Sequence, residues 1–392
     1  MKNIGIKLIY LAVIITPIFG LWEYLGYLGF IPYTREEVLT PWYIKGIKDI
    51  LLMLIYLSWT SLIFFQKKFK ILPIFFLFLI FLIFQIFLNL FIAENYFIVL
   101  AGIRSLSPLF LIFFSYAFFS NKEIETLIRL MVFISLLMVP LSIIQLLFGI
   151  PIYGTLFDKF ASRVTATFVQ PSSLGIFLDS TIFLVHLFSF KYRNFLTLVL
   201  VPIIILTGSG ISILGLFLIT TILIVIKITN PYLKLSFILL LLPNLPLFVY
   251  LGINYLPTVT NRPDIFLSPQ ERIEIVKNYL FSDCTLKDIL LGKGFGYGTN
   301  TIFTVFPDLA YNYGFIPDSL YISIISQIGI IGLLLFLFVN GYVYLKSKHP
   351  IKYSILLFLF FGITTNILEL FPVNWIYSII LGSSLKIPRM RN

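Results

Sequence analysis

The sequence predicts an all-α polytopic membrane protein with about twelve transmembrane helices. Three observations predict it. Of the 392 residues, 59% are hydrophobic and 11% charged, and mean hydropathy is +1.02, more apolar surface than a soluble core buries. Apolar runs of roughly 20 residues, the length that crosses about 30 Å of hydrocarbon, recur from end to end. The segments between those runs alternate in charge.

The predicted spans are 5–25, 47–65, 71–92, 97–119, 126–149, 173–190, 194–208, 211–228, 235–252, 320–345, 352–369 and 371–385. The first lacks a small-residue cleavage site and reads as a retained span, not a signal peptide. Spans 194–208 and 371–385 are short, and only a "GSGI" turn links 194–208 to the next.

Orientation follows from the connections. Lys2 and Lys7, "QKKFK", "NKEIE", "KYR", "KITNPYLK", "KSKHPIK" and "KIPRMRN" fall on one side. With Arg129 they hold 17 Lys/Arg against two acids, and the rest of the chain holds 11 Lys/Arg and 15 acids. The positive-inside rule makes that side, and both termini, cytoplasmic. The formal charge of +11 therefore reports topology and not nucleic-acid binding. A single cysteine, Cys284, cannot form an internal disulfide or a thiolate metal cluster, and His186 and His349 are too far apart in the chain to suggest a metal site.

The opposite, external side carries loops at 26–46 and 150–172 and a long one at 253–319, within a single transmembrane domain over 1–392. A loop that long is expected to be functional. It contains "SPQERIEIVKNYL", where Ser268, Pro269 and Glu271 fit the first turn of a helix with a capping box. Ile273, Val276 and Leu280 share one face of it, so a short amphipathic helix is expected. "LLGKGFGYGTN" follows. No strand–helix unit surrounds its glycines, which argues against a nucleotide loop. Gly292, Gly294, Gly296 and Gly298 instead suit tight turns or close backbone approach to a substrate.

Ionisable residues at span edges cost free energy and call for individual explanations. Arg104, about a third of the way into its span, either binds an anion in a wet cavity or is structural, snorkelling or paired with Glu94. Arg163 and Gln170 precede a span whose Pro171 and Ser172 sit where a helix would start; an anion site and an ordinary capped loop both fit. Arg272 lies on the external helix near Lys277 and by itself reads as a solvated charge, and Arg262 is a weaker candidate still. Asp318 suits a helix N-cap and equally a general base. Ser319, Ser323 and Gln327 recur every four residues, so that face packs inward or lines a cavity. Asp179 and His186, on one span, read as satisfied structural polar groups and not as a relay.

Four stretches together resemble the Wzy-type O-antigen polymerase and O-antigen ligase superfamily of bacterial membrane glycosyltransferases. "RVTATFVQPSSLGIFL" is similar to that family's Arg…Gly-Thr-Phe…Pro-Asn…Gly segment. "LTGSGISILGLFL" resembles its Thr-x-Ser-Arg-Gly junction, "ERIEIVKNYL…LLGKGFGYG" its Arg…Trp and Gly-x-Gly-Phe-Gly loop, and "PDSLYISIISQIGIIGLLLFL" its post-loop helix. They run in order over roughly 163 to 337. Two departures matter: Gly210 stands where the family often has Arg, and Asp318 where ligases typically have His. The external side has no histidine, which favours the polymerase branch.

The resemblance implies an enzyme of the bacterial cytoplasmic membrane that joins undecaprenyl-pyrophosphate-linked oligosaccharides on its external face. A sugar hydroxyl of one lipid-linked repeat attacks the anomeric carbon of another, and the lipid pyrophosphate leaves. The donor carries the free energy, so no cofactor and no metal are expected. The lipid bilayer is a partner, a chain-length regulator is a further candidate, and nucleic acid is not. Arginine suits pyrophosphate because its fork matches the oxygens and stays charged, and fixed cations stabilise the departing group. The expected roles are pyrophosphate binding for Arg163, Arg272 and Arg104, activation of the acceptor hydroxyl for Asp318, and orientation of substrate for Tyr321, Gln170 and Ser319. The rivals are the ligase, with lipid A–core as acceptor, and a lipid-linked oligosaccharide flippase. Transporters place ionisable groups near the midplane, whereas here they cluster toward external ends.

Overall fold

The computed structural model describes residues 2–27, 42–65, 72–92, 95–147, 163–168, 170–230, 232–233, 236, 285–299 and 319–387. Among them every regular element is a helix. Six stretches are long and apolar enough to cross a membrane: Lys2–Trp22, Pro73–Phe91, Tyr96–Phe118, Asn121–Leu147, Gly210–Lys227 and Leu320–Lys346. Predicted span 235–252 and the amphipathic helix expected over 268–280 lie outside the described residues, apart from position 236.

The contacts divide the chain into two compact units. The first comprises Met1–Phe19, Leu39–Ile134 and Glu274–Asn392, the second Gly20–Val38 and Ser135–Ile273. In the first unit, α1 (Lys2–Ile14) packs on α3 (Trp42–Phe65). α2 (Thr16–Tyr27) follows α1 after a one-residue turn and runs from the first unit into residues of the second. α4 (Pro73–Ile92) is apolar except at Gln85 and Asn89. It leaves Phe76, Leu77, Ile80, Phe84, Phe87 and Phe91 exposed, the pattern of a helix that faces lipid.

Predicted span 97–119 is interrupted. α5 (Tyr96–Leu106) passes through a 3₁₀ turn, Ser107–Phe110, into α6 (Leu111–Phe118). Pro108 has no N–H for the Arg104 carbonyl, and the Ser107 hydroxyl donates to that carbonyl instead, at 2.8 Å. Arg104, an arginine inside a predicted span, thus sits at a helix break.

α7 (Asn121–Leu147) begins where Glu123 accepts from the Ser120 backbone N–H and hydroxyl. A short helix, α11 (Leu286–Leu291), is opened by a capping box between Thr285 and Asp288. It packs against α12 (Leu320–Lys346), which matches the predicted span. α12 is broken at Gly329, whose φ of 71° is left-handed. A side chain there would collide with the Leu290 carbonyl, so the glycine lets α11 press against the break.

The last two predicted spans need correction. Span 352–369 contains only α13 (Tyr353–Phe361), and 371–385 only α14 (Val373–Ser383). Helices of 9 and 11 residues reach about half of a 30 Å crossing. α13 stops because the Gly362 carbonyl is taken from outside the helix, by the Leu320 N–H at 2.9 Å and the Ser319 hydroxyl at 3.3 Å. α14 is buried along its whole length and packs on α6, so its apolar character serves the core.

In the second unit, α8 (Pro171–Leu187) contacts both α9 (Arg193–Leu206) and α10 (Gly210–Lys227). These agree with the predicted spans to within three residues. α8 is buried from Ser173 to Leu187 except at His186.

Candidate functional site

Each unit carries a polar arrangement of its own. In the second unit the centre is the non-helical segment 163–168. Buried backbone outside a helix must find partners inside the protein. Here Gln145 Oε1 accepts from the Thr165 and Ala166 amides at 3.1 and 2.9 Å, and the Val164 N–H donates to the Leu206 carbonyl at 3.1 Å. Ala166 is left-handed, with φ 48°, and those bonds hold it there.

Arg163 lies on the α9–α10 turn. Its Nε donates to the Thr207 carbonyl at 2.8 Å, and its stem runs alongside Gly208. The junction that lacks an arginine of its own, having Gly210, is thereby met by one from the neighbouring segment. Gly175 on α8 abuts Ser212 and Thr207, so the stretches "RVTATFVQPSSLG" and "LTGSGIS" meet. α8 starts at Pro171 with Gln170 in extended conformation before it, and the Gln170 side chain makes no cap bond.

His186 and Asp179 part company. His186 Nε2 meets the Thr197 hydroxyl at 2.9 Å, as a satisfied structural group should. Asp179 is 0% exposed, and among the described residues neither carboxylate oxygen has a hydrogen-bond partner. The adjacent hydroxyls explain why: Ser180 and Thr181 donate back to the Ile176 and Phe177 carbonyls of their own helix. The expectation of a satisfied Asp179 is therefore corrected.

In the first unit the glycine-rich turn meets α12. Breaking α12 at Gly329 frees the Ser326 carbonyl, and the Lys293 N–H donates to it at 2.9 Å. The Phe295 N–H donates to Asn89 Oδ1 at 2.8 Å and the Gly296 N–H to Gln327 Oε1 at 3.3 Å. Side chains at Gly296 and Gly102 would strike the Ile98 carbonyl and the Gly296 nitrogen respectively. The close approach these glycines permit is to helices α5 and α12.

The polar face of α12 packs inward. Gln327 Nε2 donates to the Ser323 hydroxyl at 3.1 Å, and Gln327 Oε1 accepts from the Ser105 hydroxyl at 3.2 Å. Asn366 Nδ2 donates to Ser323 at 3.0 Å and to Glu369 Oε2 at 3.2 Å. The Tyr321 hydroxyl donates to the Leu359 carbonyl at 2.7 Å. Ser319, on the same face, bonds Gly362 as described.

This chain of bonds ends at a cleft that holds Arg104. Its guanidinium pairs with Asp49, Nε to Oδ2 at 2.9 Å, the two side chains being 28% and 38% exposed. Glu94, the other pairing expected, lies outside the described residues. Lys48 and Glu369 complete the charged wall, and Leu52, Pro108, Leu368 and Trp375 supply an apolar one. Asp49, Glu369 and Asn366 were not foreseen. One signal could have found Asp49: an arginine inside a span needs a nearby acid, and Asp49 stands at the mouth of predicted span 47–65.

Asp318, Arg272 and Arg262 lie outside the described residues. Among those described, no group of three His, Cys, Asp or Glu could hold a metal. Arg104, Ser319 and Tyr321 belong to the first unit, Arg163 and Gln170 to the second. No protein-family model and no curated protein sequence matches this chain.

Proposed function

We propose that the chain is a membrane glycosyltransferase of the O-antigen polymerase type, joining undecaprenyl-pyrophosphate-linked oligosaccharide repeats on the external face of a bacterial cytoplasmic membrane. One observation carries the reading. The four stretches that resemble the polymerase and ligase superfamily meet in two pairs, 163–168 with the α9–α10 turn and the glycine-rich turn with α12. Sequence neighbours alone would not require either meeting.

In this reading both termini are cytoplasmic. Arg163 and Arg272 grip the pyrophosphate, Asp318 takes the proton of the attacking hydroxyl, and Gln170 borders the donor at the start of α8. The anomeric C–O bond to pyrophosphate breaks as the new glycosidic bond forms. The leaving group departs with the electron pair, against fixed positive charge.

The test is a gel of surface glycan from cells lacking the gene. Loss of the polymerase leaves single repeats on the lipid core and no ladder. Absence of any attached repeat would indicate the ligase, and a repeat trapped inside would indicate the flippase. Arg163→Ala is expected to abolish elongation at normal protein level, and full elongation in that variant removes Arg163 from the mechanism. Asp318→Asn separates base from cap, since Asn also caps well.

A further inference from the structure

We infer that the cleft at the N-terminal ends of α3 and α14 binds a neutral, hydroxyl-rich ring, an acceptor sugar, and not the pyrophosphate. The inference rests on the glycan-joining reading above and names the part of the substrate this cleft takes.

Charge argues first. Two cations, Lys48 and Arg104, face two carboxylates, Asp49 and Glu369, and one cation and one carboxylate are already an ion pair. A diphosphate entering here would gain two positive groups and meet two negative ones. A neutral ligand has no such conflict. Arg104, expected to bind pyrophosphate, is thereby assigned to the sugar cleft.

Shape and chemistry agree. Planar carboxylate and guanidinium groups match neighbouring sugar hydroxyls, which both donate and accept. The lining also has apolar members, Leu52, Pro108 and Trp375, the Trp375 ring meeting Phe371 in a T-shaped contact at 5.3 Å. A sugar ring has the same two characters, polar rim and apolar faces.

The polar wall is also held in place before any ligand arrives. Asn366 fixes Glu369, and the bonds through Ser323, Gln327 and Ser105 anchor Asn366 to two other helices. Asn374 donates to the Leu368 carbonyl at 2.8 Å and accepts from the Trp375 N–H at 2.9 Å. That ties the residue before Glu369 to the backbone at the start of α14. Preorganisation of this kind lowers the ordering cost of binding.

The experiment uses the full chain in lipid nanodiscs with Trp22, Trp42 and Trp59 changed to Phe, so that emission reports Trp375 alone. The probes are a neutral oligosaccharide released by mild acid from the host's surface glycan, and inorganic pyrophosphate. The oligosaccharide is expected to change emission saturably and pyrophosphate is not. Glu369→Gln and Asp49→Asn should each raise half-saturation about tenfold. If the triple Phe variant does not fold, saturation-transfer NMR on the wild type and Glu369→Gln reads the same contrast. Saturation by pyrophosphate, absence of oligosaccharide binding, or binding unchanged in both variants overturns the inference. An intact glycan ladder in the gene deletion alongside oligosaccharide binding sinks the polymerase reading and leaves the cleft. A lost ladder without binding sinks the cleft alone.

Discussion

Two buried polar clusters, one around Gln327 in the first unit and one around Asp179 in the second, are satisfied differently. In the first, Ser105, Gln327, Ser323, Asn366 and Glu369 pass hydrogen bonds from helix to helix. In the second, the hydroxyls of Ser180 and Thr181 return to their own helix, Thr181 also accepts from the Ser135 hydroxyl at 3.2 Å, and Asp179 beside them has no partner among the described residues. A cross-helix network locks neighbours together and makes each member expensive to remove. Hydroxyls bonded within one helix leave its neighbours free to pack as apolar surfaces, and a carboxylate among them weakens the fold.

Substitutions can break this contrast, and the largest effect belongs to the first unit. Gly296, with φ 89°, lies against the Ile98 carbonyl. Gly296→Ala is expected to cost about 4 kcal/mol or more, read as loss of folded protein by gel filtration in detergent. Near-normal yield would mean the glycine-rich turn does not dock as described.

Next come two matched glutamines, one per unit. Gln145→Leu strands two buried amides, and Gln327→Leu strands Ser105 and the Gly296 N–H. Each should destabilise by about 2–4 kcal/mol, seen as a lower melting temperature in one detergent. If Gln145→Leu melts like the parent, segment 163–168 is held by something other than that side chain.

Asp179→Leu should move the other way, stabilising by about 1–3 kcal/mol. A lower melting temperature in that variant would mean the carboxylate is in use, and the contrast between the units would fail on that point.

The remaining effect is a pH dependence. His349 is buried and caps the turn at Pro350–Lys352, its Nδ1 accepting from the Ile351 N–H at 3.1 Å. Burial pushes the imidazole down from 6.5 to about 4. The folded protein therefore resists a proton that the unfolded chain accepts. This stability is complete above pH 6.5 and falls away as pH drops toward 4. His349→Asn, which can also cap, should flatten that slope in thermal inactivation measured between pH 7 and 4.

How much of this could be read from the chain follows the same physics. Long apolar runs are local signals, so α8, α9, α10 and α12 fall where expected. The starts of α8 at Pro171 and of α10 at Gly210 were legible from turn chemistry. Span 352–369 failed because its stop is set at long range, by residues 319 and 320 capturing the Gly362 carbonyl. The break at Ser107–Phe110 could have been read from Pro108, which no helix interior welcomes. Arg104 stood out as an intramembrane charge, but its mate did not, since pairing across 55 positions leaves no local trace. Asp179 was misjudged for a related reason: only the neighbours of a polar side chain reveal whether it has a partner.

The interruption at Gly329 also bears on the order of assembly. A hydrophobic rod that needs an outside donor to complete its backbone bonding would be stranded if that donor were made later. Lys293 leaves the ribosome before Ser326 does, and so do Asn89 and Ile98, against which the glycine-rich turn nests. Synthesis from the N-terminus thus delivers each dock before the segment that must land on it.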